Sequence, residues 1–214
     1  DGNNPQPAII VPKKKKLLTR VDLIELRPPE WLIRGLLERD SLAMVFGDTN
    51  CGKSFLVIDW AARIATGTSW RGHTVKAAPV IYIAGEGHPG FARRIRAWEE
   101  FNGVSLSERQ FYLTPGIPLP DAMIVKALVE EINEETATPA LVVIDTLARN
   151  FGDGDENSTP DMNKFVVACD HIRAQYGCTI LIIHHTGHGD KHRARGAITL
   201  KAALDAEYRL DKDK

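Results

Sequence analysis

Gly47-Asp48-Thr49-Asn50-Cys51-Gly52-Lys53-Ser54 reads as Gly-x-x-x-x-Gly-Lys-Ser, a glycine-rich bend followed at once by an ammonium and a hydroxyl. Such a bend turns successive backbone N–H groups toward one point, and the helix leaving it adds the positive end of its dipole. The chemistry this suits is the grip of a nucleoside triphosphate together with Mg²⁺. Lys53 is placed for the β- and γ-phosphates and the Ser54 hydroxyl for the metal ion. These eight residues, with Phe55 beside them, form the expected nucleotide-binding set.

A strand must deliver the chain to that loop and a helix must leave it. The apolar run Leu42 to Phe46 supplies the strand. Phe55 to Thr66 supplies the helix, with Phe55, Ile58, Ala62 and Ile64 at roughly helical spacing and Gly67 as its stop. A second apolar run, Leu141 to Ile144, ends in Asp145. A carboxylate there is expected to hold Mg²⁺ with Ser54, directly or through water; the alternative is a strand-ending Asp that caps a turn. A third run, Val80 to Ala84, leads into Gly85-Glu86-Gly87. In phosphate-loop ATPases that resemble RecA, the glutamate that activates the attacking water stands at the end of this strand. Thr146 rather than Glu follows Asp145, so the other common arrangement is absent and Glu86 is the expected catalytic carboxylate; the alternative is a solvated Glu in a glycine turn.

His184 and His185 end the run Ile180 to Ile183, where a polar group could sense the γ-phosphate. A metal site is the competing reading, because His185, His188 and His192 are close in sequence and Cys178 is nearby. The irregular spacing and the lack of a Cys-x-x-Cys pair argue against it. Arg193 and Arg195 precede Gly196-Ala197. An arginine delivered across a subunit boundary stabilises the charge of phosphoryl transfer; a basic surface loop accounts for the same residues equally well.

At 214 residues the chain suits one α/β domain with a sizeable core plus an extension. Its 27 basic and 28 acidic residues nearly cancel, so any contact with a polyanion must be local. Three cysteines, an odd number inside regular segments, read as free thiols of a cytoplasmic protein. No apolar run approaches the length of a membrane span, and the sequence as it stands does not open on a signal-type stretch. Starting at Asp1 rather than Met, the chain reads as a piece of a longer polypeptide. Residues 1–27, with Lys13-Lys14-Lys15-Lys16, are expected to be a flexible extension or linker, and residues 28–214 the folded domain. Strand-like and helix-like segments alternate through that domain. The expected fold class is α/β: a RecA-like phosphate-loop core, with a mostly parallel twisted sheet and helices on both faces.

The order Gly47 to Ser54, Gly85-Glu86, Leu141 to Asp145 with Thr146-Leu147, His184-His185-Thr186 and Arg195-Gly196 resembles the plasmid RepA-type hexameric replicative helicases. It is equally similar to the ATPase halves of phage and mobile-element primase-helicases in the RecA-like superfamily. The resemblance implies a homo-oligomeric ring, six subunits in the family, with ATP at each boundary and Arg195 reaching in from the neighbour. It implies that Arg94, on the helix after Glu86, lies near the nucleotide. It also implies that the loops from Arg149 to Pro160 and Thr186 to Gly196 line a channel for single-stranded DNA. The first of these loops is acidic, so Lys191, His192 and Arg193 of the second are the expected phosphate-gripping residues. A primase-like domain joined to such an ATPase is a further implication of the analogy. The implied function is the ATP-hydrolysing motor of a DNA helicase in replication. The alternative is a RecA-like recombination-accessory or regulatory ATPase that does not unwind DNA. A nucleotide kinase fits less well, because no segment supplies a lid with paired arginines.

Overall fold

A computed structural model describes residues 17, 19–24, 28–85, 88–135, 138–187 and 194–212. A short helix, α1 (Arg20–Ile24), lies within the segment expected to be a linker, and its Val21 and Ile24 are exposed, as is Leu17 ahead of it. A small antiparallel hairpin follows, β1 (Trp31–Ile33) and β2 (Leu37–Glu38). The main alternation then runs β3 (Leu42–Gly47), α2 (Lys53–Thr66), β4 (Val80–Ala84), α3 (His88–Asn102), β5 (Phe111–Pro115) and α4 (Ala122–Glu134). It continues with β6 (Leu141–Asp145), a 3₁₀ turn (Leu147–Arg149), α5 (Thr159–Tyr176), β7 (Thr179–His185), α6 (Ile198–Ala203) and β8 (Ala206–Leu210).

Six strands form one sheet in the order β5-β4-β6-β7-β3-β8, and every pairing in it is parallel. The composition of the strands explains why. β3, β4 and β6 are buried at every position, so neither of their faces meets water. Runs such as Val-Ile-Tyr-Ile-Ala carry no polar alternation and need cover on both sides, which crossover helices provide. Strand alternation sends Ala43, Val45, Tyr82, Val143 and Leu181 to one face, against Val57, Trp60, Ala61 and Ile64 of α2. It sends Met44, Ile83, Val142, Ile144 and Ile182 to the other, against Leu128 of α4 and Phe165, Cys169 and Ile172 of α5. Each fully buried aliphatic or aromatic side chain contributes about 1.5–3 kcal/mol, and both expected faces are covered.

Two of the long helices start on a side-chain cap. Asp121 accepts from the Met123 N–H at 2.8 Å ahead of α4, and Ser158 from the Asp161 N–H at 3.4 Å ahead of α5. No side chain caps α2 among the described residues. This is the arrangement in which backbone N–H groups at a helix start can bind an anion. The far end of α2 closes at Gly67 as expected. On its flank Asp59 accepts from Arg63 Nε, Trp70 Nε1 and Trp98 Nε1, each at 2.8 Å, which ties α2, the following loop and α3 together. Among the described residues no helix is long and apolar enough to cross a membrane.

Candidate nucleotide site

β3 lies between β7 and β8, and its carboxyl end opens into the phosphate loop. The loop bends through left-handed backbone at Asn50 (φ 61°) and Gly52 (φ 97°). Gly52 has open space where a Cβ would stand, so conformation rather than crowding selects glycine there. Gly47 is selected by crowding: a Cβ on it would collide with the Leu210 carbonyl of β8 and with Cys51 Sγ. Lys53 is only 5% exposed, and its Nζ donates to the Gly47 and Asp48 carbonyls at 3.0 and 2.7 Å. The ammonium is thereby held directly under the bend.

In front of the loop is a cleft of about 380 Å³, lined by Thr49 to Phe55 and by Arg94, Thr146, His185 and Lys212. Phe55 is 64% exposed, with the Arg94 guanidinium 5.2 Å from its ring centre. This cation–π pair forms a flat ledge at the cleft, of a kind that suits a base or ribose. Thr186, just beyond β7, donates its hydroxyl to Asp48 Oδ1 at 2.6 Å and its N–H to the Gly47 carbonyl at 3.3 Å. The end of β7 is thus fastened to the loop.

Asp145 closes β6, two strands from β3, and is nearly buried. Its Oδ2 accepts from the Tyr82 hydroxyl at 2.7 Å, and its carbonyl accepts the Gly85 N–H at 2.6 Å. The peptide bond to Thr146 is cis. The oxygens of Ser54 and Asp145 are the hard donors Mg²⁺ prefers, and the uncapped start of α2 suits phosphate, so the residues present fit a Mg²⁺–nucleotide. Glu86 lies outside the described residues, as do Lys191, His192 and Arg193. Gly85, just before Glu86, is placed by its bond to Asp145.

The two adjacent histidines part company because a strand alternates its side chains. His185 lines the cleft. His184 does not; it is fully buried, pairs in register with Phe46, and donates Nε2–H to the Arg195 carbonyl at 2.7 Å. Its Nδ1 has no partner among the described residues. Burial pushes its pKa down to about 4, helped by the positive charges of Arg195, His185 and Lys53 and opposed by the Arg195 carbonyl. His184 is therefore a neutral imidazole that holds the Arg195 backbone, whereas His185 is the one that faces the cleft.

Arg195 does not line its own chain's cleft. Its N–H donates to the His185 carbonyl at 2.9 Å, and its guanidinium forms an ion pair with Glu156. The Glu156 carbonyl in turn accepts the Ala197 N–H at 2.9 Å, so one residue of the acidic loop clasps the arginine segment twice. The competing metal reading loses its cysteine. Cys178 immediately precedes β7 and His185 ends it, seven residues later, a separation of about 23 Å at strand rise. Among the described residues no three His, Cys, Asp or Glu side chains converge as a metal site, and His188 and His192 lie outside them.

Four contributors escaped the sequence reading: Tyr82, Glu156, the Thr186–Asp48 bond and Lys212. A tyrosine in an otherwise aliphatic buried run was the one local signal, since a buried hydroxyl needs a partner. Lys212 reaches the cleft because β8 lies parallel to β3, with Leu210 opposite Gly47.

A parallel sheet whose inner strand feeds a Gly-Lys-Ser loop, with a buried aspartate two strands away and a cleft at the carboxyl ends, defines a RecA-like phosphate-loop NTPase core. A family profile described as an AAA domain matches residues 12–191, and the chain belongs to that family of phosphate-loop ATPases. No curated protein matches it.

Proposed function

We propose that this domain is the Mg²⁺-dependent ATP-hydrolysing motor of a ring-shaped helicase that moves along single-stranded DNA. The observation that supports this reading most is the division of the site. Lys53, Ser54, Phe55, Arg94 and His185 line one cleft, while Arg195 sits off that cleft on the neighbouring loop. An arginine so placed suits service to the next subunit's nucleotide. In this reading the backbone of Gly47 to Ser54, with Asp48, Thr49, Asn50, Cys51 and Gly52 between, cradles the phosphates. The Lys53 ammonium exchanges its carbonyl partners for phosphate oxygens. Ser54 and Asp145 hold Mg²⁺, which when bound neutralises charge on the β- and γ-phosphates. Glu86 orients the attacking water, His185 reads the γ-phosphate, and the neighbour's Arg195 stabilises the transition-state charge. Lys191, His192 and Arg193 grip the DNA backbone.

The test is the ATPase rate with and without single-stranded DNA, on protein whose assembly state is measured by light scattering. Stimulation of a ring by DNA is the expected result. A monomer whose rate DNA leaves unchanged overturns the motor and favours the accessory ATPase.

A further inference from the structure

Tyr82 sits fully buried in β4 between aliphatic neighbours, where a phenylalanine would fill the same space. Its ring is fixed by Phe91 and Phe111, at centroid distances of 4.6 and 6.2 Å. The hydroxyl is thus aimed by packing, and it donates to Asp145 Oδ2 at 2.7 Å. The register explains the reach. Tyr82 stands opposite Val143 and Asp145 opposite Ala84, so the two are diagonal neighbours on the same sheet face, a gap a tyrosine spans. The last torsion of an aspartate is broad and roughly two-fold, so a hydrogen bond from a fixed donor to one oxygen helps to select its rotation. We propose that Tyr82 is a positioning residue of the nucleotide site: its phenol O–H sets the rotation of the Asp145 carboxylate so that it meets the Mg²⁺ shared with Ser54. This rests on the reading of Asp145 as a metal-holding residue. The energetic logic is that of outer-shell partners at metal sites, whose loss costs about 10–100-fold in metal affinity or activity.

Tyr82→Phe removes one oxygen and keeps the ring. Two readouts are followed in wild type, Tyr82→Phe, Asp145→Asn and the double variant. One is Mn²⁺ binding by electron paramagnetic resonance in the presence of a non-hydrolysable ATP analogue. The other is the Mg²⁺ midpoint of ATP hydrolysis in those variants that retain turnover. Tyr82→Phe is expected to weaken Mn²⁺ binding and raise the Mg²⁺ midpoint about tenfold or more. Affinity for the analogue in the presence of EDTA should not change. In the Asp145→Asn background the Tyr82→Phe change should have no further effect on Mn²⁺ binding, which a role in packing alone would not produce. If Asp145→Asn weakens Mn²⁺ binding but Tyr82→Phe shifts it by less than about twofold, the positioning role falls and the metal reading of Asp145 stands. Unaltered Mn²⁺ binding in Asp145→Asn overturns both. An equal Tyr82→Phe effect in both backgrounds, or loss of the fold by circular dichroism, makes the hydroxyl architectural and overturns the proposal.

Discussion

At the level of single residues, His184 shows how burial decides which chemistry a side chain performs. Its ordinary pKa is near 6.5, and in the fold it lies at about 4. Between those values the unfolded chain binds a proton that the folded chain refuses. Stability from this group is therefore complete above about pH 6.5 and declines as pH falls toward 4, by up to about 3 kcal/mol. Urea unfolding from pH 8 to 4.5 is expected to show a steeper acid decline for wild type than for His184→Gln, which keeps an N–H donor for the Arg195 carbonyl. Parallel declines would remove His184 from the account. The Gly-Lys-Ser loop and Asp145 were legible in the sequence because each is a local pattern at the end of an apolar run. The pairing of Tyr82 with Asp145, across 63 residues, was not. It depends on strand register, which no short window contains.

Among elements, the magnitudes separate structural ties from ornament. Asp59 collects three N–H donors from Arg63, Trp70 and Trp98, and Arg63 also reaches the Ser69 carbonyl and Asn102. Asp59→Ala strands two indole donors and an arginine, and is expected to cost at least about 2 kcal/mol. The exposed Lys76–Glu30 pair, with both side chains more than half accessible, should lose less than about 1 kcal/mol in Lys76→Ala. Denaturant midpoints at unchanged slope distinguish the two. The long strands and helices were readable because apolar runs and helical spacing extend over many residues. α1, the β1–β2 hairpin and α6 have two to six residues each, too few to display a period. The 3₁₀ turn after Asp145 was missed for the same reason.

For the whole molecule, the separation of Arg195 from its own cleft has a measurable consequence if neighbouring subunits complete each other. Lys53→Ala removes the phosphate contact, and Arg195→Ala is expected to lower kcat by about a thousandfold with little change in nucleotide affinity. Mixed assemblies of the two inactive variants contain boundaries that pair an intact Lys53 with an intact Arg195. Recovery of part of the ATPase activity on mixing is the expected result, and no recovery over a range of ratios would place Arg195 outside the reaction. The near balance of acidic and basic residues means that the whole chain does not draw such subunits, or DNA, together by net charge; local surfaces must do so.

The rear wall of the phosphate loop is the Leu210 carbonyl, from the last strand among the described residues. Gly47 pairs with His185 on one side and Leu210 on the other, so β3 is an outer strand until β8 docks. During synthesis the motif emerges ahead of the strand that encloses it, since more than 150 residues separate Gly47 from Leu210. The loop therefore lacks its rear wall until Leu210 has been made and β8 has docked.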